Sequence, residues 1–181
     1  MQFKILPALV AILSASAVTA QISPKVVVTS IEDITDLSQD ATDVAQSITS
    51  NPFSLPSGFL TLARSFGGIV TTATQTVTAL DGNMPEDDFE EDDQSAICTA
   101  LTSFVEVHKN LLEIVIGKAG LLNIVPFAGP LVATVLRELE NIVDTLAEGI
   151  IMLVPTCQKG AKMDVADLND TIEKAINAYS N

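Results

Sequence analysis

The sequence predicts an all-α protein: a single antiparallel bundle of about five amphipathic helices. Three observations predict it. Aliphatic residues recur at intervals of three, four and seven over several long segments, the period of one helix face. Clusters of proline and glycine separate those segments. The composition is 48% hydrophobic but only 4% aromatic, with no tryptophan. That is too apolar for intrinsic disorder and suits packed helices with an acidic, solvated exterior.

Residues 1–20 stand apart as a secretory signal peptide. A single early cation, Lys4, precedes an apolar stretch from Ile5 to Leu13 and a close on Ala15-Ser16-Ala17-Val18-Thr19-Ala20. Val18 and Ala20 suit the positions before a signal-peptidase site, so cleavage is expected after Ala20. The apolar stretch is too short to be an anchor, since a spanning helix takes roughly 20 residues. The remaining 161 residues, 21–181, fit one helical bundle domain with a sizeable core. They carry 8 basic and 23 acidic residues, a net charge of −15. Such a chain repels phosphate at long range, which argues against a nucleic-acid partner. No apolar tail follows "AINAYSN", so no lipid (GPI) anchor is expected.

The first helix is expected to follow Thr29 or Ser30, where Thr29 and Glu32 have capping-box spacing. Ile31, Ile34, Leu37, Val44 and Ile48 form its apolar face, and "NPFSLPSG" ends it. The second spans about Ser57 to Leu80, with Leu60, Leu62, Phe66, Ile69, Val70, Ala73, Val77 and Leu80 inward. Gly67-Gly68 in its middle reads as a kink, a close approach, or a tolerated flaw. An acidic loop at about 81–93 follows, "DGNMPEDDFEEDD", in which seven of the eight residues from Glu86 to Asp93 are acidic. It lacks the alternating acids and the sixth-position glycine of a calcium loop, so it reads as a solvated loop. Its last acids suit the start of the next helix.

The third helix is expected over about Gln94 to Lys118, with Ile97, Leu101, Phe104, Val105, Leu111, Leu112, Val115 and Ala119 near a 3.6-residue period. The fourth is expected to begin at Pro130 and to stop at Pro155. Its main row is Leu131, Val135, Leu139, Ile142, Leu146, Ile150 and Leu153, widened by Val132, Leu136 and Val143. The fifth covers about Asp164 to Tyr179. Between the third and fourth lies "GLLNIVPFAGPLVATVL", apolar enough to suggest a membrane segment. Polar residues return on both sides at helical spacing, and two prolines interrupt it. It reads as a helix–helix corner, and no transmembrane segment is expected in the mature chain.

An oxidising route favours a disulfide between the two cysteines, Cys98 and Cys157. An antiparallel hairpin of the third and fourth helices is expected to bring them together. A metal site lacks further ligands, because His108 is the only histidine. No nucleophile elbow, phosphate loop, zinc spacing or dinucleotide fingerprint is present, so no catalytic residue, metal or cofactor is assigned. His108, alone among helix residues, reads as structural. Asn169-Asp170-Thr171 is an N-glycosylation sequon. Cations are few: Arg64, Lys109, Lys118 and Arg137 are the ones within the three long helices and the corner.

Three stretches carry a family resemblance: "ALTSFVEVHKNLLEIVIGKAGLL", "GPLVATVLRELENIVDTLAEGIIMLVP" and "LNDTIEKAINAYS". With their "FV-x-x-H", "LREL" and "AI-x-x-Y" elements, they resemble the hydrophobic surface-binding protein A family of secreted fungal proteins. That family also includes the lipid-binding domains of fungal cell-wall mannoproteins. The similarity is densest from Leu101 to Ser180. It implies a helical bundle that adsorbs to hydrophobic surfaces or holds a fatty acid, and that helps recruit a secreted esterase to an insoluble polymer. The acidic insertion, the cysteine pair and the lack of a Ser/Thr-rich stalk depart from the wall-bound members.

The expected partners are therefore a fatty acid or other lipid, or a hydrophobic polymer surface, outside the cell or at the cell wall. An acyl tail is expected between Leu101, Phe104, Leu111, Leu112, Val115, Leu136, Leu139, Ile142, Val143 and Leu146, with Phe66, Ile69 and Val70 closing one side. Its carboxylate belongs at a bundle opening near Arg64, Lys118 or Arg137, because an unpaired buried charge is prohibitively costly. The rival reading is a secreted helical effector or enzyme inhibitor acting by protein–protein contact. A hydrolase with an unrecognised site is a third.

Overall fold

The computed structural model describes residues 21–125 and 127–180; the expected signal peptide, residues 1–20, lies outside them. Five helices follow in order: α1 Pro24–Ser47, α2 Leu55–Gly82, α3 Glu91–Lys118, α4 Ala128–Met152 and α5 Gln158–Tyr179. A short 3-10 turn, Ala119–Asn123, extends α3 into the corner. The described residues form no strand, and none of their helices is long and apolar enough to cross a membrane.

The expected helix starts need four corrections. α1 begins well before Thr29, because Ser23 accepts a hydrogen bond from the Val26 N–H and Pro24 opens the first turn. A cap followed by proline is a complete start signal, and Val27 extends the buried face backward from Ile31. The Thr29–Glu32 spacing lies inside the helix, where backbone donors already have partners. α3 begins at Glu91, so Glu91, Asp92 and Asp93 form its first turn and favour its N-terminal dipole. The acidic loop shrinks accordingly, since Asp81 and Gly82 also belong to a helix. α4 begins at Ala128, placing Pro130 in the first turn, where a missing N–H costs nothing. α5 begins at Gln158, six residues early; its first turns are mostly polar and bury only Ala161 before Val165.

Three apolar faces are also rotated from expectation. In α1 the buried row is Val27, Ile31, Ile34, Ser38, Ala41 and Ala45, with Leu37 and Val44 half-buried beside it. In α2 the buried row is Leu55, Phe59, Leu62, Phe66, Ile69, Ala73, Thr76 and Leu80, a strict alternation of four and three. Leu60 falls outside it and is 40% exposed. In α4 the buried face centres on Val132, Leu136, Leu139, Val143, Leu146 and Ile150. Leu131, Val135 and Ile142 flank it, half-buried. α2 passes through Gly67 and Gly68 without a break, and a Cβ added at either meets nothing within 4 Å. No close approach requires those glycines. Gly129 is different: a Cβ there would sit 3.0 Å from the Tyr179 carbonyl oxygen. The start of α4 and the end of α5 therefore meet backbone to side chain-free backbone.

Consecutive helices run antiparallel, but their neighbours in space form a closed ring: α1, α2, α4, α5, α3 and back to α1. Three of these contacts are parallel. Ser38 and Gln46 of α1 meet His108 and Lys118 of α3 in the same order along each helix. Lys109 and Val115 of α3 likewise meet Asp167 and Tyr179 of α5. α3 and α4 therefore do not pack along each other as the expected hairpin. The Cys98–Cys157 disulfide forms all the same, with Cα atoms 6.4 Å apart. Cys157 is the N-cap of α5, and it is α5 that lies beside α3.

Candidate functional site

The ring of helices encloses one continuous apolar interior. The residues expected to line an acyl tail are buried there, with two exceptions, Val70 and Ile142, which are half-buried. Phe66 and Ile69 enter from α2, Leu111, Leu112 and Val115 from α3, and Leu136 and Leu139 from α4, all fully buried. Because α3 sits across the ring from α2 and α4, these rows share the interior. Phe59 and Tyr179, which are not among the residues expected to line the tail, also reach it. Their rings meet edge-on, 6.2 Å apart, and bridge α2 to α5. The Tyr179 hydroxyl donates to the Val115 carbonyl, 2.8 Å away. Burial raises its pKa, so the phenol stays protonated and donating.

One polar cluster interrupts this interior. Ser38 of α1 and His108 of α3 are both fully buried, with Ser38 Oγ 2.8 Å from His108 Nδ1. Ser38 Oγ also lies 2.8 Å from the Ile34 carbonyl, and buried Thr42 donates to the Ser38 carbonyl. The His108 ring packs on Phe104, 5.0 Å between centroids. Nε2 is buried and has no hydrogen-bond partner among the described residues. The signal for this pair was present in the sequence: each residue occupies a core position in an otherwise apolar row.

Burial lowers the His108 pKa from 6.5 to about 4. Between those values the unfolded chain binds a proton that the folded chain refuses. The stability from this group is complete above pH 6.5 and is lost as the pH falls through about 4, a loss on the order of 3 kcal/mol. Urea titrations of wild type and His108→Leu at neutral pH and near pH 4 should therefore diverge, with wild type losing more on acidification. Equal losses would show that His108 does not carry this dependence.

The three cations proposed for the ligand carboxylate lie outside the interior. Lys118 donates to the Ile48 and Gln46 carbonyls at 2.8 and 3.3 Å, closing the C-terminus of α1. Arg137 is exposed and donates to Ser180 Oγ at 2.8 Å. Arg64 is exposed on α2. Lys109 pairs with Asp167 on the surface, and this partner holds its pKa up. Asn169 lies within α5, half-buried, and its Nδ2 donates to Asp144 of α4.

Two surface features complete the candidates. A cleft of about 490 Å³ runs between α4 and α5, lined by Ile151, Met152 and Val165 but also by Asp144, Glu148 and Lys162. None of the expected tail-lining residues borders it. At the Lys118 end of the bundle, Phe53 is 95% exposed, Phe127 61% and Ile124 49%. Phe53 stands in the α1–α2 corner and the other two in the α3–α4 corner.

No protein-family model matches this sequence, and no curated protein matches it. Among solved structures, the chain is similar to AfMp4p in complex with palmitic acid. The TM-score is 0.76 at 13% identity, covering 87% of this chain and 99% of that one. It is also similar to ligand-binding domain 1 of the Penicillium marneffei MP1 protein, complexed with arachidonic acids. There the TM-score is 0.71 at 17% identity, over 84% of this chain and 95% of the other. At such identities the likeness shows the fold: the all-helical bundle that the sequence resemblance implied is the one adopted.

Proposed function

We propose that this chain is a secreted binding protein for a fatty acid or a lipid of similar shape, held in the apolar interior among α2, α3 and α4. The observation that carries the reading is the fold, shared over nearly the whole chain with two proteins solved with fatty acids. The chemistry supports it. The interior is almost wholly aliphatic, so an acyl chain replaces side-chain contacts with contacts of the same kind, and each buried CH₂ contributes about 0.8 kcal/mol. A carboxylate that stays ionised has to remain at an opening, near Lys118, Arg137 or Arg64. A head group that enters does so uncharged. The Cys98–Cys157 bond supports an extracellular setting, at the cell wall or free, after removal of residues 1–20.

The Phe53–Ile124–Phe127 end favours a second use, adsorption to a hydrophobic polymer, with a secreted esterase as the protein recruited there. Three apolar side chains this exposed at one end are suited to a surface rather than a core. Native mass spectrometry of protein secreted from a eukaryotic host, and a melting series with palmitic acid, test the first reading. A co-purified lipid and a melting temperature that rises with ligand concentration are expected. Neither appearing would remove the lipid reading. Changing Phe53, Ile124 and Phe127 together to serine should lower adsorption to a polymer film and leave palmitic acid uptake unchanged. Unchanged adsorption would remove the second reading.

A further inference from the structure

We propose that His108, seated by Ser38, is an internal hydrogen-bonding anchor that accepts the O–H of an uncharged lipid head group. The inference rests on a lipid entering the interior and adds where its polar end goes. The argument is a proton inventory. Ser38 Oγ has one proton and two neighbours, the Ile34 carbonyl and His108 Nδ1, each 2.8 Å away. When the hydroxyl donates to the carbonyl, Oγ accepts from Nδ1–H, and Nε2 is left as a bare lone pair. Burial keeps the ring neutral, so that lone pair stays available at ordinary pH.

Position supports the role. His108 lies in the buried row that runs through Leu101, Phe104, Leu111 and Val115 of α3. Nδ1 is directed at α1, so Nε2 points away from α1, and no group among the described residues bonds it. An unpaired acceptor in an apolar interior is costly to the fold. A carboxylic acid or an alcohol supplies the missing proton. A carboxylate does not, and it would bring a charge to a place where Lys118 and Arg137 are held elsewhere and Arg64 faces solvent. The site therefore selects for a neutral O–H at the end of an apolar chain.

His108 is the only histidine, so isotope-labelled histidine gives a single imidazole spectrum in the whole chain. The probes are dodecanoic acid, 1-dodecanol and methyl dodecanoate. At pH 5, where the fatty acid is substantially protonated and His108 is still neutral, the acid and the alcohol should shift the Nε2 resonance and bind roughly tenfold more tightly than the ester, the effect of one hydrogen bond. The ester should leave the resonance in place. His108→Leu should bind acid and ester alike, with the folded state checked by melting; the wild-type spectrum decides the matter if that variant fails to fold. An acid that binds without moving Nε2 overturns the anchor while the lipid reading stands. So does a folded His108→Leu protein that still discriminates, or an acid affinity that depends on Lys118, Arg137 or Arg64 instead. If none of the probes binds, the lipid reading itself fails and takes this inference with it.

Discussion

Leu139→Asp is expected to abolish fatty acid uptake and to cost most of the stability of the bundle. Leu139 is fully buried at the centre of the inward face of α4. A carboxylate placed there has no water and no cation, and the penalty for an unpaired buried ion is several kcal/mol even after relaxation. A domain of this size holds only about 5–15 kcal/mol in total. Ile142→Asp is the informative companion. Ile142 is half-buried, so its aspartate can turn toward solvent, and the protein should stay folded with a smaller loss. Circular dichroism melts and a palmitic acid titration on both variants give the answer. A folded Leu139→Asp protein that takes up palmitic acid at wild-type affinity would mean that the interior is only a packed core.

Removing the disulfide is expected to have the next largest effect. Cys98 and Cys157 are separated by 59 positions, and the bond fastens the early turns of α3 to the cap of α5. Chain-entropy reasoning for a closed loop of that length gives about 4 kcal/mol, exerted mainly on the unfolded state. For a chain of this size that corresponds to a fall in melting temperature of roughly 8–16 °C. The double variant Cys98→Ser with Cys157→Ser should show this fall, and below its melting point it should bind palmitic acid as wild type does, since neither cysteine is among the lining residues. Melting at the wild-type temperature would show that the crosslink does not stabilise the fold.

The candidate interior was largely legible because it depends on local periodicity. A buried row every three or four residues marks the inward face of a helix whatever that face meets. That is why Phe66, Ile69, Leu101, Leu111, Leu136 and Leu139 were placed correctly. Errors arose where two rows were equally apolar. In α4, Leu131 and Ile142 compete with Val132 and Val143, and only the neighbours α2 and α5 decide which row turns inward. Leu60 lost to Phe59 for the same reason. The Ser38–His108 pair was missed although both residues sit in apolar rows, because its partners are 70 positions apart. A lone histidine becomes informative only when one nitrogen is seen to be held and the other is not.

By itself the sequence determined the helical class, the five segments and the breaks between them, and it identified the two cysteines as a pair. These follow from backbone hydrogen bonding, side-chain period and redox chemistry, all of which act within a segment or on composition. The ring order was decided only by the tertiary structure. α3 beside α1 and α5, with α4 on the opposite side, is one of several ways to bury the same amphipathic faces, and the period of a stripe does not say which other stripe it will meet. The same holds for the cations: Lys118 closes the end of α1 and Arg137 reaches Ser180 because packing brings those chain ends together. Hydrophobic burial has no direction, so it sets which faces turn inward, while the fit of side chains between whole helices selects their partners.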